Sequence, residues 1–192
     1  DELLAISEKL KQEEIGNTYN PFRIIHVGRL VKWKRADLLI DALVRLKPEF
    51  PKAELLIIGT GPEEEQLKKQ IKNKNIEDSV RFAGAIYKPE ELARQHIISG
   101  IYVLAGMGGL SINEAMAFGK PVICSVCDGT EKSLVREGYN GLYFKNGSLE
   151  SLTEKIGYLF ANLDTIKEMG LNSERIIKED INLDTVASKF RE

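Results

Sequence analysis

GMGGLSINEAMAFGKP, residues 106–121, runs a glycine-rich loop straight into a helix that carries an early carboxylate. The Gly108-Gly109 pair lets backbone approach a ligand without Cβ hindrance, and Ser111 is placed to cap a helix over Ile112–Phe118. Free N–H groups and the positive end of that helix then face an anion. Glu114 is expected in the first turn, where its carboxylate can accept hydrogen bonds from ligand hydroxyls. Phosphate on the amides and sugar hydroxyls on the acid together describe a nucleotide. The other reading of Glu114 is a first-turn acid that stabilises the helix dipole by about 0.3–1 kcal/mol.

Working outward, the stretch lies between two apolar runs, Ile101–Ala105 and Pro121–Ser125, that read as strands. The same alternation fills the rest of the chain. Strands are expected at Phe22–Val27, Glu54–Gly59, Val80–Ala83 and Leu142–Phe144. Helices are expected at Leu3–Glu14, Ala36–Lys47, Pro62–Lys72, Pro89–Gln95, Glu131–Glu137, Leu149–Asn162, Asp164–Glu179 and Leu183–Phe190. The strands are short, continuous and rich in Ile, Val and Leu, as expected when helices cover both faces of a parallel sheet. The fold class is α/β, a Rossmann-like three-layer α/β/α domain with a mostly parallel sheet. Residues 1–20 read as a helix and linker, 21–162 as the nucleotide-binding domain, and 163–192 as helices packed on it.

In such a sheet, ligands bind beyond the carboxyl ends of the strands, where the strand order reverses. That rule selects the loops Gly28–Lys34, Gly59–Gly61, Gly84–Tyr87, Gly106–Ser111 and Asp128–Glu131. Arg29 follows the first strand at once, and its guanidinium fork suits phosphate oxygens. Lys34 adds a second, more mobile charge, with Lys32 and Arg35 as neighbours able to replace it. A solvated basic loop is the plain alternative. Gly59-Thr60-Gly61 lacks the third glycine of a dinucleotide fingerprint and reads as a tight turn.

Five motifs in order resemble one family: VGRLVKWKRADLLIDAL (27–43), AELLIIGTGPEEEQL (53–67), VRFAGAIYKPEEL (80–92), GGLSINEAMAFGKPVI (108–123) and VREGYNGLYF (135–144). Over roughly Phe22–Phe160 the chain resembles the C-terminal, donor-binding domain of family-4 (group 1) retaining glycosyltransferases, whose GT-B fold sets two Rossmann-like domains face to face. The resemblance implies that Arg29 and Lys34 hold the donor diphosphate and stabilise the charge developing on it. It implies that Gly28, Gly108 and the amides of Gly109, Leu110 and Ser111 line the same cradle, that Glu114 binds the ribose, and that Ile86 contacts the base. An ordinary strand-end turn at Gly84–Ile86 is the alternative. The implied function is transfer of a hexose from a nucleotide-diphosphate sugar to a hydroxyl acceptor, in building a surface polysaccharide. That sugar is a substrate; no metal or other cofactor is implied.

One position departs from the pattern. The family's first motif glutamate, which contacts the transferred sugar, falls on Gly106, and no other carboxylate lies between Gly100 and Glu114. Asp128 and Glu131 are the candidates to replace it. Two other readings follow: a non-catalytic nucleotide-binding module, and a nucleotide-sugar epimerase of the same fold.

The 192 residues have room for one well-cored domain. A net charge of −2 argues against nonspecific nucleic-acid affinity, and no apolar run is long enough to cross a bilayer. The expected location is the cytoplasm, with any membrane association supplied by a missing N-terminal acceptor-binding half. Without that half, the chain is expected to bind nucleotide and turn over little or nothing. Cys124 and Cys127 form a C-x-x-C, but a thioredoxin-type pair opens a helix, whereas this one continues a strand into a loop. His26 and His96 lack metal-ligand spacing, and His26 reads as a core or rim residue. Trp33 and Tyr87 are candidates to stack on a base or sugar, or are simply exposed aromatics.

Overall fold

The computed structural model describes residues 2–12, 18–108, 110–126 and 129–180. Six strands form one sheet: β1 (Asn20–Val27), β2 (Glu54–Ile58), β3 (Val80–Phe82), β4 (Ser99–Leu104), β5 (Val122–Cys124) and β6 (Gly141–Tyr143). Their order is β3-β2-β1-β4-β5-β6, and every neighbouring pair is parallel. The chain steps outward from β1 to β3, then returns to the far side of β1 at β4. The order therefore reverses between β1 and β4, which puts the ligand crevice of such folds beyond Val27 and Leu104.

Burial on both faces follows the two-residue period of extended chain. Ile24, Leu55, Ile57, Ile101, Val103 and Ile123 enter one apolar cluster, and their chain neighbours Ile25, Leu56, Ile58, Tyr102, Leu104, Val122 and Cys124 enter the other. The first face is covered by α2 (Ala36–Leu46) and α7 (Leu149–Ala161). α5 (Leu110–Ala117) covers the second, burying Ile112, Ala115 and Met116. The last described helix, α8 (Leu163–Asp180), places Ile166 and Met169 in the first cluster and Ile176 in the second, closing the sheet at its flank. α1 (Glu2–Gln12) lies against α4 (Pro89–Ile97), with Leu10 buried beside Ala93 and Phe118. α3 (Glu64–Asn73) completes the βαβ units by burying Leu67 and Ile71.

Most element ends shift by a residue or two from the sequence reading, and two differences bear on the site. α6 stops at Leu134 (Thr130–Leu134) instead of reaching Glu137. The buried Asn140 side chain ends it, accepting from the Arg136 N–H at 2.7 Å and donating to the Leu134 carbonyl at 3.1 Å. α5 begins at Leu110, so Ser111 lies one residue inside the helix and is not its cap. Glu114 is then the fifth helical residue, just past the first turn. The expected helix Leu183–Phe190, the end of the first helix at Glu14, and Gly109, Cys127 and Asp128 lie outside the described residues.

Candidate functional site

Backbone contacts tie the strand-end loops together before any side chain contributes. The Gly28 N–H donates to the Ile58 carbonyl (2.9 Å), the Leu30 N–H to Thr60 (2.9 Å) and the Gly59 N–H to Gly84 (2.7 Å). A Cβ at Gly59 would strike the Gly28 carbonyl, and one at Gly61 the Leu30 carbonyl. Gly59-Thr60-Gly61 is therefore packed against protein backbone, as a tight turn requires.

A 3-10 turn, Lys32–Lys34, then docks on the glycine-rich loop. The Met107 N–H donates to the Trp33 carbonyl at 3.1 Å, and Gly106 lies so close to that carbonyl that any Cβ there would collide with it. This contact gives a physical reason for the missing acid: position 106 has no room for a side chain. Gly108 has φ +137°, a backbone that L residues rarely adopt, and a methyl group on it would meet the Lys34 ammonium. The cation of one loop is thus held against the backbone of the other.

An open cavity of about 610 Å³ lies where the loops meet, lined by Gly28, Arg29, Lys34, Gly108, Leu110, Ser111 and Glu114. Val27, Asn113 and Leu3 of α1 also line it. Arg29 is exposed and forms no ion pair among the described residues, so its guanidinium is available to a ligand. Of the neighbouring cations, Arg35 is held by Asp37 through bonds of 3.0 and 3.2 Å, and Lys32 turns to another surface beside Ala36 and Leu67. Lys34 is the member of the basic loop that enters the cavity.

Glu114 is half-buried, and that burial raises its carboxyl above the usual value. Ser111 Oγ accepts a hydrogen bond from the buried Tyr102 hydroxyl at 2.7 Å. Beneath the cavity floor, His26 is fully buried with Nδ1 3.2 Å from the Val103 carbonyl, while its Nε2 has no hydrogen-bond partner among the described residues. Burial lowers its pKa to about 4, so the ring is neutral. A Cβ placed on Gly28 would meet both the His26 Nε2 and the stem of Lys34 at 3.9 Å.

The remaining sequence candidates fall elsewhere. Ile86 packs into the second apolar cluster and is not part of the cavity lining. Glu131 is fully buried and turned inward, with Oε2 accepting from the Gly129 N–H at 3.1 Å, so it does not face a ligand and cannot replace the missing acid as it lies. Trp33 and Tyr87 are exposed but stand outside the lining. Leu3 and Asn113 were not legible as cavity residues. Leu3 reaches the cavity only because α1 folds back beside α5, and Asn113 was hidden as one polar position of a short helix. A second open cavity, about 640 Å³, lies between α1 and α4, and neither a glycine loop nor Arg29 or Lys34 lines it.

A glycine loop at a helix start, facing two cations at the switch point of a parallel sheet, is the geometry that the five motifs imply. Residues 7–175 match the family described as Glycosyl transferases, group 1. The chain belongs to that family. An uncharacterized glycosyltransferase of Haemophilus influenzae is 30% identical over 88% of this chain and 47% of its own length. A GDP-mannose-dependent α-(1-6)-phosphatidylinositol monomannoside mannosyltransferase of Mycobacterium tuberculosis is 27% identical over 87% of this chain and 46% of its own. Among solved structures, Anabaena HepE in complex with UDP-glucose superposes with a TM-score of 0.79 at 24% identity, over 96% of this chain and 51% of that one. The chain therefore spans about half the length of the curated relatives it matches, and the fold is that of a GT-B glycosyltransferase domain. Among the described residues of this group 1 domain, no helix is long and apolar enough to cross a membrane.

Proposed function

We propose that this chain is the donor-binding half of a retaining glycosyltransferase, holding a nucleotide-diphosphate sugar for transfer of its hexose to a hydroxyl acceptor. The observation that carries the reading is the convergence of Arg29 and Lys34 with Gly108 and Ser111 around one cavity. A diphosphate laid there meets a guanidinium fork, an ammonium and the first-turn amides of α5. Breaking the glycosidic bond leaves negative charge on that diphosphate. Preorganised cations and dipoles stabilise such charge as it develops, which is where they lower a barrier most. This assigns charge neutralisation to side chains and amides without a metal. Glu114, two positions past Ile112 on the cavity side of α5, accepts the ribose hydroxyls.

Two of the relatives support a nucleotide-sugar donor, since one is named for GDP-mannose and another was solved with UDP-glucose. The base therefore remains a choice between UDP and GDP for the first titrations, with ADP, dTDP and CMP as further probes. The acceptor, and any base acting on it, belong to the other half of the relatives' length. A role in surface polysaccharide synthesis and a cytoplasmic location complete the proposal.

The test is calorimetric titration of the 192-residue chain with these nucleotides. Arg29→Ala should weaken the best ligand by about 1.5–3 kcal/mol, the loss of a charged hydrogen bond. Unchanged affinity in that variant removes the cradle. A second reading, a nucleotide-binding module without catalysis, is favoured by the absence of side-chain space at Gly106. Assaying sugar transfer, as opposed to donor hydrolysis, in a protein that carries both halves of the fold separates the two.

A further inference from the structure

Tyr102 is out of character for its strand. β4 reads Ser-Gly-Ile-Tyr-Val-Leu, and at its centre stands an entirely buried aromatic whose hydroxyl must be satisfied inside the domain. Its partner is Ser111 Oγ at 2.7 Å, nine residues on and across the glycine-rich loop. Burial raises the ionisation of Tyr102 well above its ordinary value, the Ser111 contact opposing in part, so the phenol stays protonated. Its proton is then always present to be donated.

A serine hydroxyl has one proton and two acceptor lone pairs. With the Tyr102 proton on one lone pair, the proton of Ser111 is not consumed in this contact. Serine deep inside a helix commonly turns that proton back to the carbonyl four residues earlier, but Ser111 is the second residue of α5 and Met107 lies before the helix. No such bond forms among the described residues. Ser111 lines the cavity with Arg29, Lys34 and Gly108, so its unspent proton has the cavity to point into.

We propose that Tyr102 is a positioning residue for the donor diphosphate: its hydroxyl fixes Ser111 so that the serine O–H donates to a phosphate oxygen. The inference rests on the diphosphate reading above. Two hydroxyls in series polarise one another, and the terminal bond to an anion gains from that chain. Tyr102 touches no ligand itself.

UDP and GDP are titrated into the 192-residue chain, and the tighter is carried forward together with its nucleoside. Tyr102→Phe keeps the ring that fills the core and deletes the hydroxyl alone. It should weaken the diphosphate about three- to tenfold, the span of one ordinary hydrogen bond, while the nucleoside keeps its affinity. In a Ser111→Ala background the same substitution should change nothing. The ratio of diphosphate to nucleoside affinity would not move if Tyr102 only supported the packing of α5. A loss below twofold, a loss shared by the nucleoside, or one that keeps more than half its logarithmic size beside Ser111→Ala overturns the proposal. Arg29→Ala, run in parallel, separates the two failures: loss of binding there with no Tyr102–Ser111 coupling sinks only this inference.

Discussion

Gly108→Ala perturbs the point where the Lys34 ammonium meets the glycine-rich loop. The added methyl group has two consequences that can be measured apart. At φ +137° an L side chain is strained, at a cost of about 1–3 kcal/mol. A chain of this size loses roughly 2–4 °C of Tm per kcal/mol, so melting should fall by about 2–12 °C. The methyl group also occupies the place of the Lys34 ammonium, which must withdraw. Losing a charged hydrogen bond to diphosphate costs about 1.5–3 kcal/mol, or roughly ten- to hundredfold in affinity. Differential scanning fluorimetry reads the first effect and calorimetric titration with UDP or GDP the second. Because the affinity loss acts through Lys34, Gly108→Ala and Lys34→Ala should each weaken binding, and their combination should add little to either. Wild-type affinity in Gly108→Ala, or full additivity of the pair, would refute the claim that the ammonium is held at the loop for a phosphate.

Two further outcomes follow from titratable groups. Burial raises the Glu114 carboxyl, so the fold holds its proton more tightly than the unfolded chain does. Stability from this group is full below the ordinary carboxylate value and is lost as pH rises through the raised one. Glu114→Gln should therefore raise Tm at pH 7 while weakening nucleotide binding, and a fall in Tm would contradict a site strained for its ligand. His26 and His96 run the other way: burial lowers them to about 4 and about 3. The unfolded chain takes up these protons below about pH 6.5 and the fold does not, so stability should fall as pH drops from 6.5 toward 4, each histidine costing roughly 2 kcal/mol by pH 5. His96, whose two ring nitrogens have no hydrogen bond among the described residues and whose ring packs on Phe118 at 5.3 Å, can be replaced by Phe. Chemical denaturation of His96→Phe at pH 5 and 7 should show a smaller pH difference than wild type, and an equal one would rule out this source of acid sensitivity.

The alternation of strands and helices was legible in the sequence because it rests on local pattern. Short Ile-, Val- and Leu-rich runs with no polar face, such as Glu54–Ile58, can be satisfied only between two helical layers. The loops of the site were legible for the same reason, since a strand end followed by glycine and a helix start is a contiguous signal, and Arg29 and Gly108 both stand in such loops. What the sequence could not decide was which side chains meet across the sheet edge. Lys34 enters the cavity while Arg35 is taken by Asp37, although KWKR reads as interchangeable charge. Gly106 looked like a lost acid, yet the Trp33 carbonyl, more than seventy residues earlier, fills the space a side chain would need. Ser111 looked like a cap until the helix began one residue earlier and a buried tyrosine claimed its oxygen. Local composition sets what each segment can be, because backbone hydrogen bonding and apolar period act over a few residues. Contacts between distant loops depend on strand order and register, which exist only once the sheet has formed.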